Sequence, residues 1–101
     1  AMNENVLKLF ITGRTTRAQE AVRNLRELYE RALSEDFDMV VIDVLENPEQ
    51  AEEEKILATP TLIHQTLYGS RRIIGDLSDT GEVKRLLGIV DTNETHSGGS
   101  A

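Results

Sequence analysis

The sequence predicts an α/β domain with the order β-α-β-α-β-β-α: a mixed four-stranded sheet with three helices. Three observations predict it. Two short apolar runs, residues 6–12 (VLKLFIT) and 39–45 (MVVIDVL), flank a long amphipathic stretch, which is the pattern of a βαβ unit. Two further strand-like runs, TLIHQT and RRIIGD, stand either side of a short glycine-containing turn, the signature of a hairpin. Each of three segments opens on residues that favour a helix start.

In the first strand Leu7, Leu9 and Ile11 alternate onto one face. Gly13 and Arg14 make the turn that follows. Thr16 and Gln19 have the spacing of a capping box, so the first helix is expected to start there. Ala18, Ala21, Val22, Leu25, Leu28, Tyr29 and Ala32 form one apolar stripe at helical spacing. Opposite it, Arg23 and Glu27, and Glu27 and Arg31, stand four apart. Such pairs contribute only about 0.2–0.5 kcal/mol each. The second strand is almost wholly apolar and β-branched, which predicts burial on both faces of a parallel pair, with a right-handed connection. Asn47 suits the N-cap of the second helix, Pro48 its first position and Glu49 its positive end. That helix is expected to stop near Ala58, since residues before proline avoid helical backbone. Thr61–Thr66 is the third strand and residues 71–76 the fourth, with Tyr68-Gly69-Ser70 as the turn and Gly69 free to take positive φ. Asp79 and Glu82 form another capping box. Val83, Leu86, Leu87 and Val90 then mark the last helix.

The chain has 101 residues, enough for one domain with a modest core. Residues 1–90 are read as that domain. Residues 91–101, DTNETHSGGSA, are polar and rich in Gly and Ser and are expected to be disordered. Ala1 and Met2 read as a cloning remnant. There is no cysteine, which excludes disulfides, thiolate metal sites and thiol catalysis. No apolar run approaches the roughly 20 residues of a membrane span, and no signal-peptide pattern opens the chain, so a cytoplasmic protein without a membrane partner is expected. The net charge of −7 argues against nucleic acid as a partner.

The predicted order is that of the thioredoxin-like fold, and Pro60 of Ala58-Thr59-Pro60-Thr61 falls where that fold carries a cis-proline. Three stretches, LKLFITG, VIDVLENPEQAEEEKILATPTL and RRIIGDLSD, closely resemble the KaiB family of circadian clock proteins across most of residues 7–79. The resemblance implies no enzymatic activity and no cofactor. It implies docking on a KaiC-type hexameric ATPase, with KaiA recruited and the thioredoxin-like domain of the kinase SasA displaced. It also implies a metamorphic protein: a monomeric thioredoxin-like state that binds KaiC, and an alternative tetrameric fold with a different C-terminal half. Lys55, Arg71 and Arg72 are the partner-binding residues that the resemblance points to; Pro60, Gly69 and Gly88 are the candidates for determining the fold.

The departures from the family pattern are specific. TLYGS stands where clock members carry a proline-rich loop, and Leu86-Leu87-Gly88 where they tend to carry Gly-Leu-Asp. A glycine hairpin followed by a capped helix favours the thioredoxin-like state, mainly monomeric. Glu20, Val40 and His64 occupy positions where the family carries Arg, Lys and Lys. Loss or reversal of charge on a docking surface changes partner choice.

The remaining polar features have plain readings beside the functional ones. Glu52-Glu53-Glu54 could hold a cation, yet a charge run is more often a solvated helix face. Asp43 ends an apolar strand, where a structural role outweighs that of a buried acid with a raised pKa. His64 could sense pH; with its one companion, His96, in the tail, no metal site is expected. Arg71 and Arg72 could grip an acidic partner or keep an edge strand soluble. Asn93-Glu94-Thr95 matches a glycosylation triplet that a cytosolic tail would not use. An enzyme lacks support, because Thr15 and Thr16 have no base near them in sequence. A sensor domain cut from a histidine kinase, or a KaiB relative with a non-clock partner, stands as the alternative to a KaiC-docking module.

Overall fold

The computed structural model describes residues 4–89. Its elements are β1 (Asn5–Ile11), α1 (Thr16–Leu28) continued by a π-helical turn (Tyr29–Leu33), β2 (Phe37–Asp43), α2 (Pro48–Glu53), β3 (Thr61–Thr66), β4 (Gly69–Ile74) and α3 (Thr80–Leu87). The expected tail, Val90 and the first three residues lie outside the described residues.

The strand order is β2-β1-β3-β4, with β1 parallel to β2 and antiparallel to β3, and β3 antiparallel to β4. This mixed four-stranded sheet with three helices matches the expected fold class. The order corrects one expectation. β2 is an edge strand, and only Phe37 and Ile42 of it are buried. The strands buried on both faces are the central ones, β1 and β3: Leu7, Leu9 and Leu62 face one layer, and Phe10 and Ile63 the other. An apolar run identifies a strand; its place in the sheet depends on pairings distant in sequence.

On one face Leu7, Leu9 and Leu62 pack against Ala21, Leu25 and Leu28 of α1 and Val83 and Leu87 of α3. Burying each such leucine contributes about 1.5–3 kcal/mol. Phe10, Ile42 and Ile63 form the smaller cluster on the opposite face, with Val44 and Ile56 against it. That face also takes α2, because Lys8 of β1 reaches Glu54 at the helix end.

Two helix details differ from expectation. Thr15, one residue earlier than Thr16, caps α1: its Oγ1 accepts from the Ala18 amide at 3.1 Å. Gln19 instead donates to the Arg14 carbonyl. The π-helical turn then adds a residue to the winding, so Leu33 is buried where a uniform helix would have placed Ala32. Tyr29 closes this end by donating from its hydroxyl to the Phe37 carbonyl at 2.8 Å. The expected ion pair between Arg23 and Glu27 is not formed, whereas Lys8 and Glu54 pair at 3.2 Å. Long exposed side chains gain too little from pairing to be held in one geometry.

α3 starts as expected, with Asp79 Oδ1 accepting from the Glu82 amide at 3.0 Å. It ends at Gly88, φ +70°. There the Gly88 and Ile89 amides donate to the Arg85 and Lys84 carbonyls, a Schellman closure that glycine adopts without steric penalty.

Candidate functional site

α2 is shorter than the sequence suggests, ending at Glu53 rather than near Ala58. The Lys55 amide bonds back to Glu52 and the Ile56 amide to Ala51, which again makes a Schellman motif, and the residue that must turn left-handed is Lys55, φ +55°. Asn47 precedes the helix, but its side chain donates to the Asp43 carbonyl rather than capping. Arg72 of β4 takes two carbonyls just past this helix end. Its Nη2 donates to the Glu54 oxygen at 2.9 Å and its Nη1 to the Lys55 oxygen at 3.2 Å. The Glu54 carboxylate meanwhile accepts from Lys8 of β1 at 3.2 Å and from Gln50 at 3.3 Å. The loop after α2 is therefore tied to β1 and β4 by polar contacts.

From Lys55 the chain runs to the Thr59–Pro60 bond, which is cis and sits where the sequence places it. Thr12 and Thr59 share a hydrogen bond between hydroxyls at 2.6 Å, Thr61 Oγ1 donates to the Ala58 carbonyl, and the Pro60 carbonyl accepts from Gly75. Asp43 holds the neighbouring turn: Oδ1 accepts from the Gly13 and Leu45 amides at 3.0 and 2.9 Å, a structural role. On this fixed frame Leu57 is 93% exposed, at the edge of a groove lined by Thr12, Val44, Pro48 and Ile56. Aliphatic side chains, paired hydroxyls and a lysine on a rigid rim are equipment for binding. Thr15, weighed as a nucleophile, serves as a helix cap.

The three candidate partner residues divide between the two faces of the sheet. Successive strand residues point to opposite faces, so Arg72 joins Lys55 on the α2 side while Arg71 lies on the α3 side. There Arg71 pairs with His64 across the β3–β4 ladder, beside Leu86 and Gly88. His64 Nε2 is 3.1 Å from Asn5 Oδ1 and its ring is tilted over Phe37 at 5.3 Å. Partial burial, and then the charge of Arg71, hold its pKa below the usual value. Gly69 is also placed differently from expectation: Leu67 and Tyr68 form the turn, and Gly69 opens β4 with φ +142°. Thr66 Oγ1 sets this geometry, accepting from the Tyr68 amide and donating to the Gly69 carbonyl.

The Glu54 hub, the exposed Leu57 and the bond from Asn24 to the Asp76 carbonyl (2.9 Å) were not foreseen. Leu57 alone carried a local signal, as an apolar residue between a helix end and a proline turn. Among the described residues no group of His, Asp and Glu is placed to hold a metal ion, and no helix is long and apolar enough to cross a membrane.

The comparisons agree with this geometry. The profile of the KaiB domain matches residues 8–89. The circadian clock protein KaiB3 of Synechocystis sp. is 48% identical over 88 residues, covering 87% of this chain and 84% of that one. The circadian clock oscillator protein KaiB of Prochlorococcus marinus is 46% identical over 84 residues, 83% of this chain and 69% of its own. Among solved structures, mitochondrial thioredoxin 3 of Saccharomyces cerevisiae aligns with a TM-score of 0.72 at 23% identity, over 86% of this chain and 80% of that one. Fasciola hepatica thioredoxin aligns at 0.73 and 14% identity, over 88% and 84%. These two establish the thioredoxin-like fold alone.

Proposed function

The chain belongs to the KaiB family, and from that premise we propose that it is a non-enzymatic docking module for a KaiC-type hexameric ATPase, binding through the rim that Lys55 and Leu57 form beside cis-Pro60. One observation carries the reading. Arg72 clamps the two carbonyls at the end of α2, and so presents a lysine and a nearly bare leucine on a loop fixed before any partner arrives. Preorganisation of that kind lowers the ordering cost of association. Arg71, on the other face beside His64, serves the partner as a rim charge. KaiA and SasA-like proteins would meet the same complex, in the cytoplasm.

A KaiB relative with a partner other than KaiC is the second reading, favoured by the uncharged Val40, 43% exposed on the same sheet face as Lys8. Titrating the chain against a KaiC-type ATPase from the same cell separates the two. Saturable binding that Lys55→Glu abolishes supports the first, and absence of binding supports the second.

A further inference from the structure

α1 carries a second surface on the opposite side of the sheet from α2. Ile11, Ala18 and Val22 floor a groove of ≈ 350 Å³. Arg14, Arg23 and Arg26 rim it, with Gln19 and Glu27. None of the three guanidiniums has a hydrogen bond or an ion pair among the described residues. The chain as a whole is acidic, at −7, and Glu46, Glu49, Glu52 and Glu53 cluster at α2, whereas this rim carries three arginines and one glutamate. Arg23 and Arg26, three apart on one helix, repel each other. Three arginines against one glutamate around an apolar floor are complementary to a ligand with an apolar centre between two anions.

We propose that this groove docks an acidic segment of a partner protein, in which two carboxylates flank one apolar side chain. The rim from the start of α1 to Arg26 spans about 15 Å at 1.5 Å per residue. An extended segment of sequence Glu-x-Leu-x-Glu puts its three side chains on one face over roughly 13 Å. Leucine would meet Val22 and Ile11, and the carboxylates would reach Arg14 at one end and Arg23 and Arg26 at the other. A nucleic-acid backbone fits less well, since it would leave the floor bare and face Glu27 on the rim.

The test titrates the isotope-labelled full chain with a synthetic Glu-Ser-Leu-Ser-Glu peptide. We expect chemical-shift changes centred on Ile11, Ala18 and Val22, binding that weakens as salt is raised, and loss of at least tenfold in affinity in R23E/R26E. The neutral pair R23Q/R26Q weakens binding in the same direction, and circular dichroism reports whether either variant keeps its helices. Lys55→Ala leaves this binding unchanged, which separates it from the ATPase-docking rim. Four results overturn the proposal: no shifts in the groove at millimolar peptide; equal binding of a Lys-Ser-Leu-Ser-Lys peptide; tighter binding of a single-stranded oligonucleotide; or self-association that R23E/R26E removes, which would assign the groove to a second copy of this chain.

Discussion

Arg72 and Lys55 are joined between β4 and the end of α2: Nη1 of Arg72 donates to the Lys55 carbonyl oxygen at 3.2 Å. A residue weighed for partner binding is therefore part of the scaffold that presents another.

The two arginines should behave differently when changed singly. Arg72→Gln breaks two bonds to carbonyls and is expected to cost about 1 kcal/mol in urea unfolding, besides loosening the docking loop. Arg71→Gln makes no such contact and should leave the unfolding midpoint unchanged. Reversing both to Glu is expected to weaken binding of a KaiC-type ATPase more than tenfold. Unaltered affinity and salt dependence in the double variant would remove both residues from the interface.

Lys55 supplies charge while occupying left-handed backbone, φ +55°, a conformation that costs a non-glycine residue roughly 1–2 kcal/mol. Lys55→Gly relieves that cost but gives the unfolded chain more freedom. We expect a net gain of about 0.5–1 kcal/mol in stability together with weaker partner binding. A variant both less stable and equally competent to bind would contradict this account of Lys55.

Leu77 has φ +65° and is 5% exposed. Packing of its side chain among the α1 and α3 residues holds a backbone conformation that leucine otherwise avoids. Leu77→Ala keeps the strain and loses the packing, so a loss of about 2–5 kcal/mol is expected. Calorimetry or urea titration would measure it; a loss under 1 kcal/mol would mean that the loop is held by Asn24 and the backbone alone.

His64 links stability to pH. Its folded pKa lies below the usual 6.5, through burial first and Arg71 second. The unfolded chain therefore binds the proton more readily, and stability should fall as pH drops from about 6.5 toward the folded pKa, then level off. Asp76 acts at lower pH. Hydrogen bonds from Ser78 hold its carboxyl below the usual 3.8, so its contribution is present above that value and disappears as pH falls through the folded pKa. His64→Gln should flatten the first step and leave the second. If the first step persists in H64Q, another group is responsible.

The thioredoxin-like state should dominate in solution, as a monomer. Gly88 terminates α3 with left-handed backbone, and Val83 and Leu87 cover the sheet. Backbone chemical shifts are expected to report helix across Thr80–Leu87. A strand signature there, or a tetramer by sedimentation, would show that the alternative fold prevails.

Local chemistry by itself determined the succession of elements. Apolar periodicity placed the strands and α1, Asp79 placed α3, and Thr59-Pro60 placed the turn before β3, because each of these signals acts between residues a few positions apart. The wholly apolar second strand was legible as a strand, though its position at the edge was not, since β1 is flanked by β2 and β3 through hydrogen bonds to residues over 30 and 50 positions away. The same limit applies to the site. Lys55, Arg71 and Arg72 could be singled out along the chain. That β4 turns Arg71 toward His64 and Arg72 onto the carbonyls of Glu54 and Lys55 is decided only when β4 pairs with β3 and brings a guanidinium to the end of α2. Tertiary structure makes that assignment because a side chain's partner is set by which elements meet in space, and one-residue alternation on a strand then sends adjacent arginines to opposite faces.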